Sequence, residues 1–451
     1  MILGNSMLLG STLILGFLVL QVLLISLHKK GVSFNKRTLL ALVIGLGYGL
    51  VIQQFIPIID PSWSSFLLEM ICFFGSAYLA LLKMLVIPLV LTSIVYSILR
   101  LGDIKGALLT RLATGSVGML LGMTALASGI GIAVGVMFHV GQGLQLPSES
   151  MQPQHGNTDL VNTLVGMIPS NPVKIMAQEN TVALVIFAVF VGVATVLVHR
   201  QDHQLSNTFK KFMESAFYIV KKMAVMVIAL TPYGVLGLMT KMASHQGLNS
   251  LEGLADFIGA MYTAIALVIM MHVLFISLVA RQNPLTYFQK AYQALLVAFT
   301  TRSSFGTLPV TEETLTQKFK LPQMVGSFVP GLGATIGMNA CAGVFPAMLV
   351  VMCMHILHMP IGLETVIMVM GVNMLASLGV SGIPGTAFIA AGVTLTTLGL
   401  PYAVVGIVQG IDPIVDMGRT ATNINGTMTT ALTVNRFLPS DLEDDVGEHN
   451  Y

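Results

Sequence analysis

Hydrophobic residues in this chain collect into long runs that contain few charged positions. The runs at 7–28 and 182–198 approach or reach the roughly 20 residues that a helix needs to span a membrane. Hydropathy predicts such spans near 7–28, 36–58, 68–99, 107–138, 159–199, 213–242, 254–281, 322–357 and 401–436. The pattern therefore predicts an all-helical protein that crosses a bilayer many times.

Two further apolar stretches are interrupted by polar or flexible residues. In 294–316, an apolar run stops at the polar residues of 302–306 before a second short segment begins. In 367–400, two apolar halves flank GVSGIPG at 379–385, where glycine and proline disfavour a continuous helix. Neither half of either stretch can cross a bilayer alone. We predict two re-entrant helical hairpins, at about 291–317 and about 364–400.

Each predicted hairpin precedes one long segment, at about 322–357 and about 401–436. Non-helical backbone at membrane depth is tolerated only where protein or a solvated cavity satisfies its N–H and C=O groups. Paired interrupted segments are the best sequence indication of a transporter's binding centre, and the repeated order suggests an internal repeat. The alternative is that either stretch is a kinked span or a surface loop.

Composition agrees with a membrane protein, because 55% of the 451 residues are hydrophobic and 9% are charged, against about 25% charged in soluble domains. The 22 basic and 20 acidic residues give a formal net charge of +2, which indicates no nucleic-acid partner. The three cysteines lie in apolar segments, so the sequence shows neither a disulfide framework nor a close-spaced metal site.

The distribution of basic residues predicts the orientation. Cytoplasmic loops are rich in Lys and Arg, and such residues follow the first and third spans: Lys29, Lys30, Lys36, Arg37, Arg100, Lys105 and Arg111. The first run lacks a basic segment before it, so we interpret it as a retained helix, not a cleaved signal. We expect an extra N-terminal transmembrane helix at 1–30, mostly scaffold helices at 36–285, a transport core at 286–437 and an acidic cytoplasmic tail at 438–451.

Four polar residues of the last span follow one another at spacings of four, three and four: Asp412, Asp416, Arg419 and Asn423. This spacing places them on one helical face. An ionised side chain at bilayer depth costs about 2.5–3.5 kcal/mol, so these groups need partners. A carboxylate, a guanidinium and an amide together complement an amino acid that carries a second anionic group. The alternative is a purely structural ion pair between Asp416 and Arg419.

The segment GLGATIGMNACAG at 331–343 interrupts the preceding span with glycines. Glycines weaken the helix and leave carbonyl groups free for a hard cation, although glycines in membranes also serve close helix packing. Other polar residues in apolar segments, such as His272, His355 and Lys221, are expected to be packed or interfacial. No nucleophile with a base partner can be recognised, so we do not expect an enzyme.

Five motifs in order resemble one family: LLKMLVIPLVLTS, TRSSFGTLPVT, GATIGMNACAG, ASLGVSGIPGT and IDPIVDMGRTATNING. They are similar to motifs of the dicarboxylate/amino acid:cation symporters, the glutamate-transporter-like carriers, and the similarity runs from about residue 36 to the end of the last span. The resemblance implies inverted repeats, transport by alternating access and a homotrimer in the lipid bilayer.

The resemblance also implies roles for individual residues. Asp416 would take the substrate ammonium, Asn423 the α-carboxylate and Arg419 the distal anionic group. Ser303 and Ser304 would supply the first hairpin's contacts. The rest of the expected substrate set is Cys341, Val380, Gly382 and Thr420, and Arg302 is expected to act in gating or charge balance.

One family cation site is similar here, with Thr335, Met338 and the carbonyls of Ser377, Leu378 and Val380 as its expected sodium ligands. Weaker candidates are Gly333, Gly337, Asn423 and Asp412. Asn339 and Thr427 stand where sodium-coupled glutamate carriers have Asp, and Gly337 stands where they have Asn. Loss of two carboxylates weakens binding of hard cations, so we expect fewer coupled sodium ions than in that branch, and no other cofactor.

The variants GATIGMNACAG and MGRTATNINGTMT resemble the bacterial L-cystine symporters, which likewise begin with an extra helix. The expected function is sodium-coupled import of L-cystine across the plasma (inner) membrane. The first alternative is a sodium- or proton-coupled importer of aspartate or glutamate. A ligand-gated ion channel is the alternative from another class, although the sequence shows no periodic ring of pore residues.

Overall fold

The computed structural model describes residues 2–102, 107–144, 169–178, 181–246, 249–380, 382 and 385–438, and in these residues it contains helices and no strand. Seven of the helices are long and apolar enough to cross a membrane. The predicted all-helical, multi-spanning fold is therefore confirmed for the described residues. Residues 145–168, which include the start of the span predicted at 159–199, and residues 439–451 of the predicted acidic tail lie outside them.

The first half of the chain forms nine α-helices in the described residues: α1 (Ile2–Lys29), α2 (Phe34–Phe55), α3 (Pro61–Gly102), α4 (Ala107–Met137), α5 (Pro172–Ala177), α6 (Thr181–Gln201), α7 (His203–Ile228), α8 (Thr231–Gln246) and α9 (Asn249–Leu274). The second half forms α10 (Pro284–Thr301), α11 (Ser304–Glu313), α12 (Gln323–Gly333), α13 (Phe345–Ile356), α14 (Leu363–Ala376), α15 (Ala387–Thr397), α16 (Val404–Val408) and α17 (Asp412–Asn435).

Three predicted single spans are divided in the structure, and one of them, at 401–436, contains α16 and α17. The span predicted at 213–242 is α7 and α8, which meet at a bend of 50°. Pro232 in the first turn of α8 lacks the N–H that a continuous helix would need, so the chain restarts there. The span predicted at 159–199 contains α5 and α6, because Asn171 begins a new helix by accepting from the N–H groups of Val173 at 3.0 Å and Lys174 at 3.1 Å.

The helices pack in two groups. In the first group α2 packs on α8, and α3 packs on α6, α7 and α8, with α1 against α2 and α3. In the second group α4 and α9 pack on the C-terminal elements, including α17 and the turn that precedes α13. The long α3 also contacts α15 and therefore lies between the groups. Two helices of the N-terminal half thus belong by packing with the C-terminal half.

The first predicted hairpin consists of α10 and α11. It begins at Pro284, seven residues before the predicted start, because Asn283 caps α10 by accepting from the Leu285 N–H at 2.9 Å. Its tip is Arg302, whose left-handed backbone (φ 57°) ends α10. Ser303 then caps α11 by accepting from the Gly306 N–H at 3.0 Å. The chain therefore reverses direction through one residue with a left-handed backbone and one helix N-cap.

The segment between the hairpins is a broken helix. It consists of α12, an irregular stretch at 334–338, a wide turn of π-helix (Asn339–Val344) and α13. Gly337 has a positive φ of 69°, and a Cβ atom there would lie 2.4 Å from the Leu120 Cβ atom. Both the backbone conformation and the space therefore require glycine at the break. The second hairpin consists of α14, a short turn (Ser377–Gly379) and α15.

Candidate functional site

The two hairpin tips and the broken helix meet at Gly382. Its carbonyl accepts from the Phe305 N–H at 3.2 Å and from the Ser303 hydroxyl at 3.1 Å, and its N–H donates to the Ala334 carbonyl at 2.9 Å. A Cβ atom at this position would lie 2.6 Å from the Ser304 Cβ atom, so only glycine fits. The structure therefore brings together the predicted residues of both hairpins.

Beside this junction lies a buried group of four charged side chains, which we call the charged cluster: Arg302, Asp412, Asp416 and Arg419. Arg302 donates from Nε to Asp416 at 3.0 Å and from Nη2 to Asp412 at 3.4 Å. Arg419 donates from Nη2 to Asp416 at 3.0 Å and also to Asp412. The side chains are at most 6% exposed. Two carboxylates and two guanidiniums together balance the charge, which lowers the cost of burying them.

The charged cluster adds a residue from another element to the polar helical face that was predicted from sequence. The four-and-three spacing places Asp412, Asp416 and Arg419 on one face of α17, as predicted. The left-handed turn at the end of α10 adds Arg302 from the first hairpin. Asp416 and Arg419 therefore do not form the isolated ion pair that was the alternative, because each carboxylate contacts both guanidiniums.

Some donors at this site have no partner among the described residues. The unpartnered atoms are Nε and Nη1 of Arg419 and Nδ2 of Asn423, and both side chains are at least 98% buried. The guanidinium carbon of Arg419 lies 4.1 Å from the centroid of the Phe345 ring, so an aromatic face covers one side of it. Leaving a buried donor without a partner costs free energy. These atoms can donate to an anionic group such as a carboxylate.

The π-turn after the helix break sets the orientation of Asn423. Its Oδ1 atom accepts from the N–H groups of Ala340 at 2.9 Å and Cys341 at 3.4 Å. Because the carbonyl end of the amide is used in this way, the Nδ2 end is left as the donor. Thr420 lies one turn earlier on α17 and is 3% exposed, and Cys341 is 6% exposed. Both predicted pocket residues are therefore close in the fold to Asn423.

The predicted sodium ligands lie on two segments that the structure joins. The Gly337 N–H donates to the Ser377 carbonyl at 3.1 Å, which ties the helix break to the start of the second hairpin's tip. Thr335 and Met338 flank Gly337, and Leu378 and Val380 follow Ser377. A carbonyl oxygen has two lone pairs, so the Ser377 oxygen keeps one for another partner. Carbonyl and hydroxyl oxygens are the donor types that a hard cation prefers.

The weaker cation candidates are placed differently. Gly333 packs against Thr427, since a Cβ atom at Gly333 would lie 2.2 Å from the Thr427 hydroxyl oxygen. Both carboxylate oxygens of Asp412 contact guanidinium groups in the charged cluster. The negative charge of Asp412 is therefore balanced by Arg302 and Arg419.

A second buried polar group was not predicted, and we call it the amide bridge: Asn339, His272, Asn425 and Tyr287. His272 Nε2 lies 3.0 Å from Asn339 Oδ1, and His272 Nδ1 lies 3.0 Å from Asn425 Nδ2. The Tyr287 hydroxyl donates to Asn425 Oδ1 at 2.8 Å. The sequence singled out His272 and Asn339 separately, but no local pattern pairs residues 67 and 153 positions apart.

Lys221 was expected from sequence to be a packed or interfacial side chain, and in the structure it packs on an aromatic ring. Its Nζ atom lies 3.9 Å from the centroid of the Phe305 ring at the first hairpin's tip. This is a cation–π contact. It joins α7, in the first packing group, to the hairpin in the second.

Comparison with known proteins agrees with this architecture. Residues 34–437 match the model of the sodium:dicarboxylate symporter family. The L-cystine uptake protein TcyP of Bacillus thuringiensis (strain Al Hakam) is 33% identical over 458 residues, which cover 98% of this chain and 97% of that protein. TcyP of Bacillus licheniformis is 33% identical over 455 residues, with 96% and 95% covered. TcyP of Shouchella clausii is 32% identical over 438 residues, with 93% of each chain covered.

The family match covers both hairpins, the broken helix and the last helix, and it begins after α1. The relatives extend the similarity over nearly the whole chain, so α1 is part of the similarity with them. The protein is a multi-pass membrane transporter and not an enzyme, and it belongs to the sodium:dicarboxylate symporter family.

Proposed function

We propose that this protein imports L-cystine across the plasma membrane together with sodium. The observation that carries the proposal is the charged cluster, with two carboxylates and two guanidiniums buried at the meeting point of both hairpins. Cystine has two ammonium and two carboxylate groups, so it carries the same set of charges in complementary form. Relatives that are about one-third identical to this chain are named for L-cystine uptake, which supports this substrate.

The site residues divide the recognition of cystine among them. Asp416 receives one ammonium group, and Asn423 Nδ2 donates to the carboxylate of the same amino-acid half. Arg419 uses its unpartnered Nε and Nη1 atoms for the carboxylate of the other half. For this to happen, Asp416 exchanges the Arg302 contact for the substrate ammonium. Arg302 lies at the first hairpin's tip, so substrate binding and the position of that hairpin are coupled.

Sodium binds where the broken helix and the second hairpin join. Thr335 and Met338 supply one side, and the carbonyls of Ser377, Leu378 and Val380 supply the other. The ion contributes a positive charge that holds these carbonyl dipoles together. Substrate and sodium thereby favour the closed position of the second hairpin, and the core then moves against the first helix group to give alternating access. The family resemblance supports a homotrimer.

The test is uptake of radiolabelled L-cystine into proteoliposomes that contain the purified protein and have an inward sodium gradient. Excess unlabelled cystine, aspartate, glutamate, succinate or cysteine is added in parallel, and liposomes without protein and a potassium gradient are the controls. Accumulation that requires sodium and is blocked by cystine but not by the acidic amino acids supports the proposal.

Other outcomes of the same experiment identify the alternatives. Sodium- or proton-driven uptake of aspartate or glutamate, without cystine uptake, would replace the substrate and keep the transport mechanism. The geometry allows this outcome, because Asp416, Asn423 and Arg419 also match one ammonium and two carboxylates. A solute-gated current without solute accumulation would indicate a channel.

A further inference from the structure

The amide bridge is a directed chain of hydrogen bonds. Asn339 Nδ2 donates to the Thr124 hydroxyl at 3.0 Å and to the Gly337 carbonyl at 3.1 Å, so its Oδ1 atom is the acceptor that faces His272. His272 must then donate from Nε2, and in a neutral imidazole Nδ1 is the acceptor. Asn425 Nδ2 donates to that Nδ1, and the Tyr287 hydroxyl donates to Asn425 Oδ1. Every donor in the chain therefore has an acceptor.

The last helix leaves space for this bridge. A Cβ atom at Gly426 would lie 2.0 Å from Asn339 Oδ1 and 3.2 Å from the His272 Cε1 atom. Any larger residue at that position would displace the amide from the imidazole. The bridge is thus held between α9 and α17 by shape as well as by hydrogen bonds, and His272 and Asn339 are fully buried.

The bridge ends at the segment that orients the substrate-site amide. Asn339 is the first residue of the π-turn (Asn339–Val344), and the next two residues, Ala340 and Cys341, donate their N–H groups to Asn423 Oδ1. A shift of Asn339 would move these two donors. The orientation of the Asn423 amide would then be lost, and with it the direction of its Nδ2 atom.

We propose that His272 is a positioning residue for carboxylate recognition. Its neutral imidazole holds Asn339, Asn339 holds the N–H groups of the π-turn, and these hold Asn423 with Nδ2 facing the substrate. This inference rests on the proposed function, because that function assigns recognition of a substrate carboxylate to Asn423. His272 makes no contact with substrate in this arrangement and acts through the backbone between Asn339 and Cys341.

Replacing His272 by glutamine or by asparagine tests the contacts of its two ring nitrogens separately. The amide of a glutamine reaches about as far as Nε2, so His272→Gln keeps the donor to Asn339. The amide of an asparagine reaches about as far as Nδ1, so His272→Asn keeps only the contact to Asn425. We expect His272→Asn to raise the KM for L-cystine by about five- to tenfold, with Vmax changed by less than about twofold. His272→Gln should stay within about twofold of the wild type in both constants.

His355→Gln is the matched control. This histidine donates from Nδ1 to the Val140 carbonyl, 2.8 Å away, and has no contact with the amide bridge in the described residues. Its KM should be that of the wild type. Size-exclusion profiles and melting curves of all variants show whether each one is folded.

A second readout needs no substrate. Cys341 lies in the positioned turn and is 6% exposed, whereas Cys353 on α13 is 0% exposed and serves as the internal reference. Labelling by a membrane-permeant maleimide is followed for each cysteine by mass spectrometry. We expect Cys341 to label several-fold faster in His272→Asn than in His272→Gln or in the wild type.

The two readouts keep the inference separate from the proposed function. If the wild type takes up no cystine, the proposed substrate is wrong, and the labelling result still decides the role of His272. If Gln and Asn variants behave alike in KM and in Cys341 labelling, His272 only fills space and the inference is overturned. If His272→Asn does not fold, Gly426→Ala displaces the same amide and must give the same rise in KM and labelling.

Discussion

The charged cluster and the amide bridge both use side chains of α17, yet they are built in opposite ways. The charged cluster combines ionised groups, and Arg419 keeps two donor atoms that have no partner in the described residues. The amide bridge is neutral, and each of its donors has an acceptor. The first arrangement can exchange partners with a charged solute, whereas the second can only hold its position.

The free-energy cost of removing one partner also differs between the two groups, because one is charged and the other is neutral. Removing one partner of a buried ion pair leaves an uncompensated charge, which costs about 3–5 kcal/mol. Removing one partner of a neutral buried hydrogen bond costs about 1–3 kcal/mol. Changes in the charged cluster should therefore have the larger effects, and they should appear in substrate specificity as well as in rate.

The largest effect is expected for Asp416→Asn. The amide cannot balance an ammonium group, and Arg302 and Arg419 are left with one carboxylate between them. We expect kcat/KM for cystine to fall by at least about 100-fold. Proteoliposome uptake measures this, and the conservative Asp416→Glu variant is the control. Uptake close to that of the wild type in Asp416→Asn would remove Asp416 from the substrate site.

Arg419→Gln should change specificity as well as stability. In the proposed site the guanidinium is the partner of the distal carboxylate, so its loss should raise the KM for cystine by about 30-fold or more. Cysteine, which lacks a distal carboxylate, should become a better competitor relative to cystine. Competition assays with both solutes test this, with Arg436→Gln at the end of α17 as the matched control. An unchanged ratio of the two inhibition constants would contradict the assigned role.

Thr335→Val should weaken sodium binding by about tenfold, because it removes one oxygen from the proposed sodium site and keeps the shape of the side chain. The sodium concentration that gives half-maximal cystine uptake is the measurement, and Thr300→Val on the exposed face of α10 is the control.

In the wild type the amide bridge engages the side-chain oxygen of Asn339, so we expect fewer than three sodium ions per substrate. A reversal potential that requires three would refute this.

Lys221→Met should have a moderate effect on rate. A cation–π contact contributes about 0.5–2 kcal/mol, and this contact joins α7 to the tip of the first hairpin. Movement of the core against the first helix group would break it, so its loss should change Vmax by about two- to fivefold and leave KM nearly unaltered. Lys222→Met is the adjacent control. An altered KM with constant Vmax would instead place Lys221 in substrate binding.

The smallest effect is expected for Tyr287→Phe. The change removes the donor at the far end of the amide bridge, three hydrogen bonds away from Asn339. We expect KM to change by less than about twofold and the unfolding free energy to fall by about 1 kcal/mol. Thermal melts of the purified protein and uptake kinetics measure the two quantities. A rise in KM as large as that in His272→Asn would show that the bridge acts as one unit.

Several features could be predicted from the sequence because they depend on local patterns. The interrupted apolar segments predicted both hairpins, and the spacing of Asp412, Asp416 and Arg419 predicted their common face. The division of 213–242 into α7 and α8 was missed although Pro232 is a local signal, because mean hydropathy does not register one residue. The start of the first hairpin was missed for a similar reason, since the cap at Asn283 lies in a polar stretch.

The sequence by itself determined which segments are helical, where helices break, and which charges share a face. These properties depend on residues a few positions apart, through backbone sterics and the repeat of the helix. Only the tertiary structure decided that Arg302 reaches Asp416 and that His272 reaches Asn339 and Asn425. Those contacts join residues between 67 and 153 positions apart, and they form because a buried polar group in an apolar fold must find whatever partner the packing brings to it.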